Sequence, residues 1–145
     1  MTTTQTKNRG FTLVELLIVI VIIAILTVVS LVAYNGLQNR AKTTAAASAA
    51  ETVAKKAEIY NTESSGYPKD LKTLMKASSD KSYSIGTDVL TAKSEGLTDL
   101  ASKPDEANTI AYEACTDNKG ARIFYWDYGT NKKQTRTVGT CTATP

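Results

Sequence analysis

Lys7-Asn8-Arg9-Gly10-Phe11-Thr12-Leu13-Val14-Glu15-Leu16-Leu17-Ile18-Val19-Ile20 opens the apolar part of this chain, and its reading decides the fold. Two cations and a glycine precede a run in which, from Phe11 to Ala33, only Thr12, Glu15, Thr27 and Ser30 are polar. Leu16 to Leu26 is unbroken hydrocarbon. A core helix would need cover on all sides, which a small domain cannot easily supply. A secretory signal would have a shorter apolar region followed by an Ala-x-Ala cleavage site, and no such site follows. A plain membrane anchor fits the length, since about 20 apolar residues span a bilayer. It leaves Glu15 unexplained, because a carboxylate inside an apolar span is costly and marks a functional position by default.

The rest of the 145-residue chain differs in character. Beyond Ala33 it is polar, with scattered aliphatics and the tyrosines. The formal charge is +3, and without residues 1–10 there remain 15 basic residues of the 17 against 14 acidic ones, a formal +1. That balance argues for no charged partner on bulk charge alone. The cations Lys7 and Arg9 flank the apolar span and by the positive-inside rule keep residues 1–10 in the cytoplasm, with the body outside.

The segment from Lys7 to Ile20 closely resembles the processing site of type IV prepilins and pseudopilins. The resemblance covers about a quarter of the chain. It implies a leader of residues 1–10, a transmembrane and polymerisation helix over 11–34, and a globular head over 35–145. It implies cleavage between Gly10 and Phe11 by a membrane-embedded prepilin peptidase, followed by N-methylation of Phe11. Glu15 takes the place of the family's near-invariant glutamate, thought to meet the N-terminal amine of a neighbouring subunit during filament assembly. Two such charges attract strongly in a low-dielectric setting, and each unpaired would be costly. Where pilins often carry a glycine and a proline in this helix, the sequence has Ala24 and Val32, so a kink at those places is not expected. Gly36 is the only weak point inside the rod.

Helical spacing continues past the apolar run. Ala46, Ala50, Val53, Ala57 and Tyr60 fall four, three, four and three residues apart, one stripe of an amphipathic helix. Ser64-Ser65-Gly66-Tyr67-Pro68 is the first strong stop. One helix from Phe11 to Ser64 would be roughly 80 Å long. Lys69 to Met75 reads as a short helix. Residues 77–108 give weak signals and correspond in position to the family's variable loop. Thr109 to Cys115, Ala121 to Tyr128 and Gln134 to Val138 read as strands, with tight turns at 117–120 and 129–131. The expected fold class is α+β: a long N-terminal helix whose C-terminal half packs on a small antiparallel sheet, the lollipop that the resemblance implies.

Two cysteines in an exported body read as one disulfide, Cys115 to Cys141, against the alternative of two free thiols. A loop of roughly 27 residues would contribute about 3–4 kcal/mol in chain-entropy terms. By the resemblance the pair bounds the family's D-region. Alternation puts Phe124, Trp126 and Tyr128 on one strand face and Tyr125 on the other. The stretch reads as a strand whose aromatics fill the helix–sheet core, against the alternative of an adhesive or stacking surface. Lys119, Arg122, Lys132, Lys133 and Arg136, opposed only by Asp127 between residues 119 and 136, form with Trp126 a candidate ligand surface, for DNA or a host or neighbouring cell. Ordinary solvated charges explain the same residues.

The chain has no histidine, and Asp99, Asp105, Glu106, Asp117 and Asp127 show no calcium-ligand spacing, so neither metal nor cofactor is expected. Ser78-Ser79-Asp80-Lys81 matches a serine-hydrolase motif but lacks its partner motifs. An enzyme is the least supported class. The resemblance implies a subunit of a type IV pilus, serving adhesion, twitching motility or DNA uptake. The alternatives are a pseudopilin of a type II secretion system and a minor DNA-binding or adhesive pilin. Its partners would be other pilin subunits, the prepilin peptidase, an assembly ATPase and a platform protein. It would start as a single-pass protein of the cytoplasmic membrane and end in an extracellular pilus.

Overall fold

The structure, a computed structural model, describes residues 10–141, so of the expected leader only Gly10 falls among the described residues. The chain divides into two units, Met1–Leu37 and Gln38–Pro145. The elements are a helix α1 (Leu13–Ser64), a short helix α2 (Leu71–Met75) and strands β1 (Ala111–Ala114), β2 (Gly120–Asp127) and β3 (Lys132–Gly139). The fold is α+β, as the sequence pattern indicates.

α1 runs through Gly36 without a break. Its one mid-span threonine is satisfied internally, the Thr27 hydroxyl donating to the Ile23 carbonyl at 2.7 Å, the usual back-bond for a hydroxyl on an apolar helix. The helix stops where the sequence says it should. Ser65 adopts a left-handed backbone, φ 56°, and its N–H closes on the Asn61 carbonyl, a left-handed C-terminal cap. Gly66 follows, close against the Asn118 side-chain amide, which lies 2.6 Å from where a Cβ would stand. The Tyr67 N–H then donates to the Asn118 carbonyl, tying the helix exit to the β1–β2 turn. α2 is capped by Asp70, whose carboxylate accepts from the Thr73 N–H and hydroxyl at 2.8 and 2.7 Å. Those bonds hold Asp70 below the usual carboxylate range.

In the second unit the three strands form an antiparallel meander in the order β1-β2-β3. Tyr112 lies opposite Ile123, and Ala121 opposite Val138. These side chains meet Ala49, Ala50, Val53, Ala54 and Ala57 of α1 in the main core, closed by Leu71, Leu74, Ile85, Leu90 and Ile110. Alanine at most of the helix positions lets sheet and helix approach closely, and β-branched or aromatic strand residues fill the space between them. Tyr112 is buried, its hydroxyl donating to the Pro68 carbonyl at 2.9 Å, and burial pushes its ionisation well above the ordinary tyrosine value.

The aromatic stretch corrects the expectation. Tyr125, not Phe124 or Trp126, packs against the helix-side core. Phe124 and Trp126 face the other way and form a second cluster with Ala111, Leu97 and Leu100. The segment between α2 and β1 supplies that cover. Apart from a 3-10 turn at Ala92–Ser94 it has no regular element, yet it sends Ile85 and Leu90 into the main core and Leu100 over the far face. Its buried hydroxyls are satisfied: Ser94 Oγ accepts the Ile110 N–H at 2.9 Å, and Thr91 and Thr109 share a hydrogen bond at 3.1 Å. β3 begins at Lys132 rather than Gln134, because its register with β2 carries the pairing back to Asp127.

Ile123 is completely buried at the centre of the sheet. Ile123→Ala should therefore lower the unfolding free energy by about 3 kcal/mol through lost burial and an unfilled cavity, read as a drop in the denaturant midpoint with an unchanged slope.

Candidate functional site

Gly10 has nothing within 4 Å of a notional Cβ, so the backbone there is open. Phe11 is exposed. Thr12 then caps α1 reciprocally with Glu15. The Glu15 N–H donates to the Thr12 hydroxyl at 3.2 Å, while the Glu15 carboxylate accepts from the Thr12 N–H at 2.8 Å and its hydroxyl at 2.7 Å. This is a capping box, threonine followed three residues later by glutamate, which satisfies donors that a helix N-terminus otherwise leaves orphaned. The spacing was visible in the sequence and was not read as a cap.

From Phe11 to Leu37 every large apolar side chain keeps 46% or more of its surface exposed. Among the described residues nothing covers this stretch. The helix is long and apolar enough to cross a membrane, and a helix that is apolar all round belongs in lipid or among other helices. Residues 5–31 match the model of the prokaryotic N-terminal methylation motif. The motif that this model describes is the class III signal peptide of type IV pilins. It supports a member of the type IV pilin or pseudopilin family, a family of structural subunits. No curated protein and no solved structure matches the chain.

The candidate ligand residues of the second unit do not form one free patch. Alternation along β2 and β3 puts Arg122, Trp126 and Lys133 on the face away from α1. Arg136 reaches Glu51 of α1 at 3.4 Å. Arg122 pairs with Glu113 at 3.3 Å, and Lys133 with Asp99 while lying over the Phe124 ring. Lys119 stands in the β1–β2 turn, and Lys132 opens β3. Trp126 donates its indole N–H to Asn131 at 3.4 Å. Cys115 and Cys141 are joined in a disulfide, with Cα atoms 5.5 Å apart, which ties the end of β3 to the β1–β2 turn. Among the described residues no cluster of three or more His, Cys, Asp or Glu could hold a metal ion. Ser78 and Lys81 meet only in an exposed turn, the Lys81 N–H donating to the Ser78 carbonyl.

Sequence reading missed the contact between α1 and the β2–β3 turn. The Thr43 hydroxyl donates to Asp127 at 3.1 Å and accepts from the Tyr128 N–H at 2.9 Å. Asp127 also accepts from the Gly129 N–H at 2.9 Å and from the Thr130 hydroxyl at 2.7 Å. The side-chain bond from Thr130, then the backbone bonds, hold its carboxyl below the usual range. The Asp127-Tyr128-Gly129-Thr130 run was a readable Asx-turn signal. Its helical partner was not.

A depressed folded-state pKa stabilises the protein above the unfolded value and loses that contribution as pH falls through the folded one. Asp127→Asn should therefore melt lower than the parent at neutral pH, with the gap closing below about pH 4, as thermal denaturation across pH will show.

Proposed function

We propose that the chain is the structural subunit of a type IV pilus on a prokaryotic cell surface. The observation that carries this reading is an exposed apolar stretch, Phe11 to Leu37, whose one carboxylate, Glu15, sits in the first turn of α1, directly after Gly10-Phe11. On this reading the precursor spans the cytoplasmic membrane once. The prepilin peptidase cuts on the cytoplasmic side between Gly10 and Phe11, and the new amine of Phe11 is methylated. An assembly ATPase and a platform protein then drive subunits out of lipid and into a filament, where helices cover one another. Filaments of this kind serve adhesion, twitching motility or DNA uptake.

Glu15 has a definite part in that transfer. In the precursor its charge is held by two donors of Thr12. A carboxylate has room for further donors, so the amine of a neighbouring Phe11 adds a charge-assisted bond without displacing the cap. The pairing sets the axial position of one subunit against the next. Contacts repeated head to tail without closure give a fibre.

Two substitutions test this in cells that carry no other copy. Gly10→Val should leave full-length protein in the membrane. Glu15→Val should be inserted and cut normally, while sheared surface material falls at least tenfold, a loss of more than about 1.4 kcal/mol of assembly free energy. Normal amounts of fibre from Glu15→Val would contradict the pairing.

A further inference from the structure

One surface of the second unit is used by neither the core nor the proposed filament contacts. Tyr128, just past β2, lies under two ammonium groups: Lys42 Nζ is 5.7 Å and Lys103 Nζ 5.3 Å from its ring centroid. The arrangement is locked from both sides. Thr43 accepts the Tyr128 and Gly129 N–H groups, at 2.9 and 3.3 Å, and the Tyr128 hydroxyl donates to the Pro104 carbonyl at 2.9 Å. Arg40 precedes Thr43 by one helical turn, and Lys132 follows at the far end of the same β2–β3 turn. Arg40, Lys42, Lys103 and Lys132 are all exposed, and among the described residues none enters an ion pair. Arg122, Lys133 and Arg136 on the rest of the sheet are paired. The nearby carboxylates are Asp105 and Asp127, and Asp127 is committed to the turn.

The chain's own connectivity says what lies close to this surface. Leu37 is the last of the exposed apolar residues, and Thr43 comes six positions later. Six residues extend at most about 20 Å, so the cationic surface that Thr43 anchors stays near the point where the chain leaves lipid. That range is on the order of two Debye lengths at physiological ionic strength. The buried Tyr128 ring holds the Lys42 and Lys103 ammonium groups over it while both side chains stay exposed and outside any ion pair, which leaves their charge open to anionic headgroups. Resting on the reading of the chain as a membrane-anchored pilin, we propose that Arg40, Lys42, Lys103 and Lys132 seat the head on anionic phospholipid headgroups while the subunit waits in the membrane. Extraction into the filament then has to release this contact.

Trp126, the only tryptophan, lies two residues from Tyr128 and reports on the contact without labelling. The full chain is reconstituted into phosphatidylcholine vesicles with and without phosphatidylglycerol, each carrying a lipid with a nitroxide on its headgroup. Quenching of Trp126 should be stronger with phosphatidylglycerol and fall to the phosphatidylcholine level as salt is raised. It should fall likewise in a Lys42→Gln, Lys103→Gln, Lys132→Gln variant, each lost charge weakening the contact roughly fivefold. Equal quenching in both vesicles, insensitive to salt, overturns the proposal, as does a variant indistinguishable from the parent. Relief of quenching by added duplex DNA under the same salt assigns the surface to nucleic acid instead and also overturns it. Flotation separates this from the anchoring reading. A chain that floats with both vesicles but shows no lipid-dependent quenching overturns the headgroup contact alone. A chain that floats with neither overturns both.

Discussion

An apolar helix that its own chain does not cover is the constraint on which the rest of this protein depends. Burial of apolar surface is the dominant favourable term in folding and association, and between Phe11 and Leu37 that term goes unused within one molecule. The segment therefore belongs in acyl chains or among other apolar helices. Lipid and like helices are nearly equivalent apolar surroundings, so moving between them is a small change in free energy for the hydrocarbon. Direction and register have to come from elsewhere. Glu15 is the one group in the first turn whose free energy depends strongly on the surroundings, and the Thr12 cap keeps it hydrogen-bonded within the chain.

The second unit meets a different requirement. It gives the same helix a conventional amphipathic stretch, with an alanine-lined face against the sheet and polar residues outside. Its exposed edge, β3, carries Lys132, Lys133 and Arg136, charges that discourage pairing with stray strands. The disulfide and the Thr43–Asp127 contact secure opposite ends of the β-meander, one at the β1–β2 turn and one at the β2–β3 turn.

Much of this was legible in the sequence because it is periodic or local. The stripe Ala46, Ala50, Val53, Ala57 is buried as spaced, with Tyr60 at its margin. The stop at Ser65-Gly66 and the two hairpin turns follow from residues that tolerate unusual backbone geometry, and Ser65, Asn118 and Asn131 all have positive φ. The parts that were not legible depend on tertiary partners. Alternation in β2 separates Phe124 and Trp126 from Tyr125 but does not say which set meets the helix. That was decided by Leu97 and Leu100 from a segment whose isolated aliphatics carry no period. The basic run looked unopposed because the carboxylates that pair with Arg136, Lys133 and Arg122, namely Glu51, Asp99 and Glu113, come from α1, the irregular segment and β1. Thr43 stood in an alanine- and threonine-rich helix with nothing local to mark it.

The central claim is that the apolar helix begins at Phe11 in the working protein and is covered by other subunits outside the cell. Intact mass and N-terminal sequence of protein sheared from the cell surface test it most directly. The account expects a chain that starts at N-methylated Phe11 and is two hydrogens lighter than the fully reduced form. Full-length protein confined to membranes, with none in the sheared fraction, would contradict it.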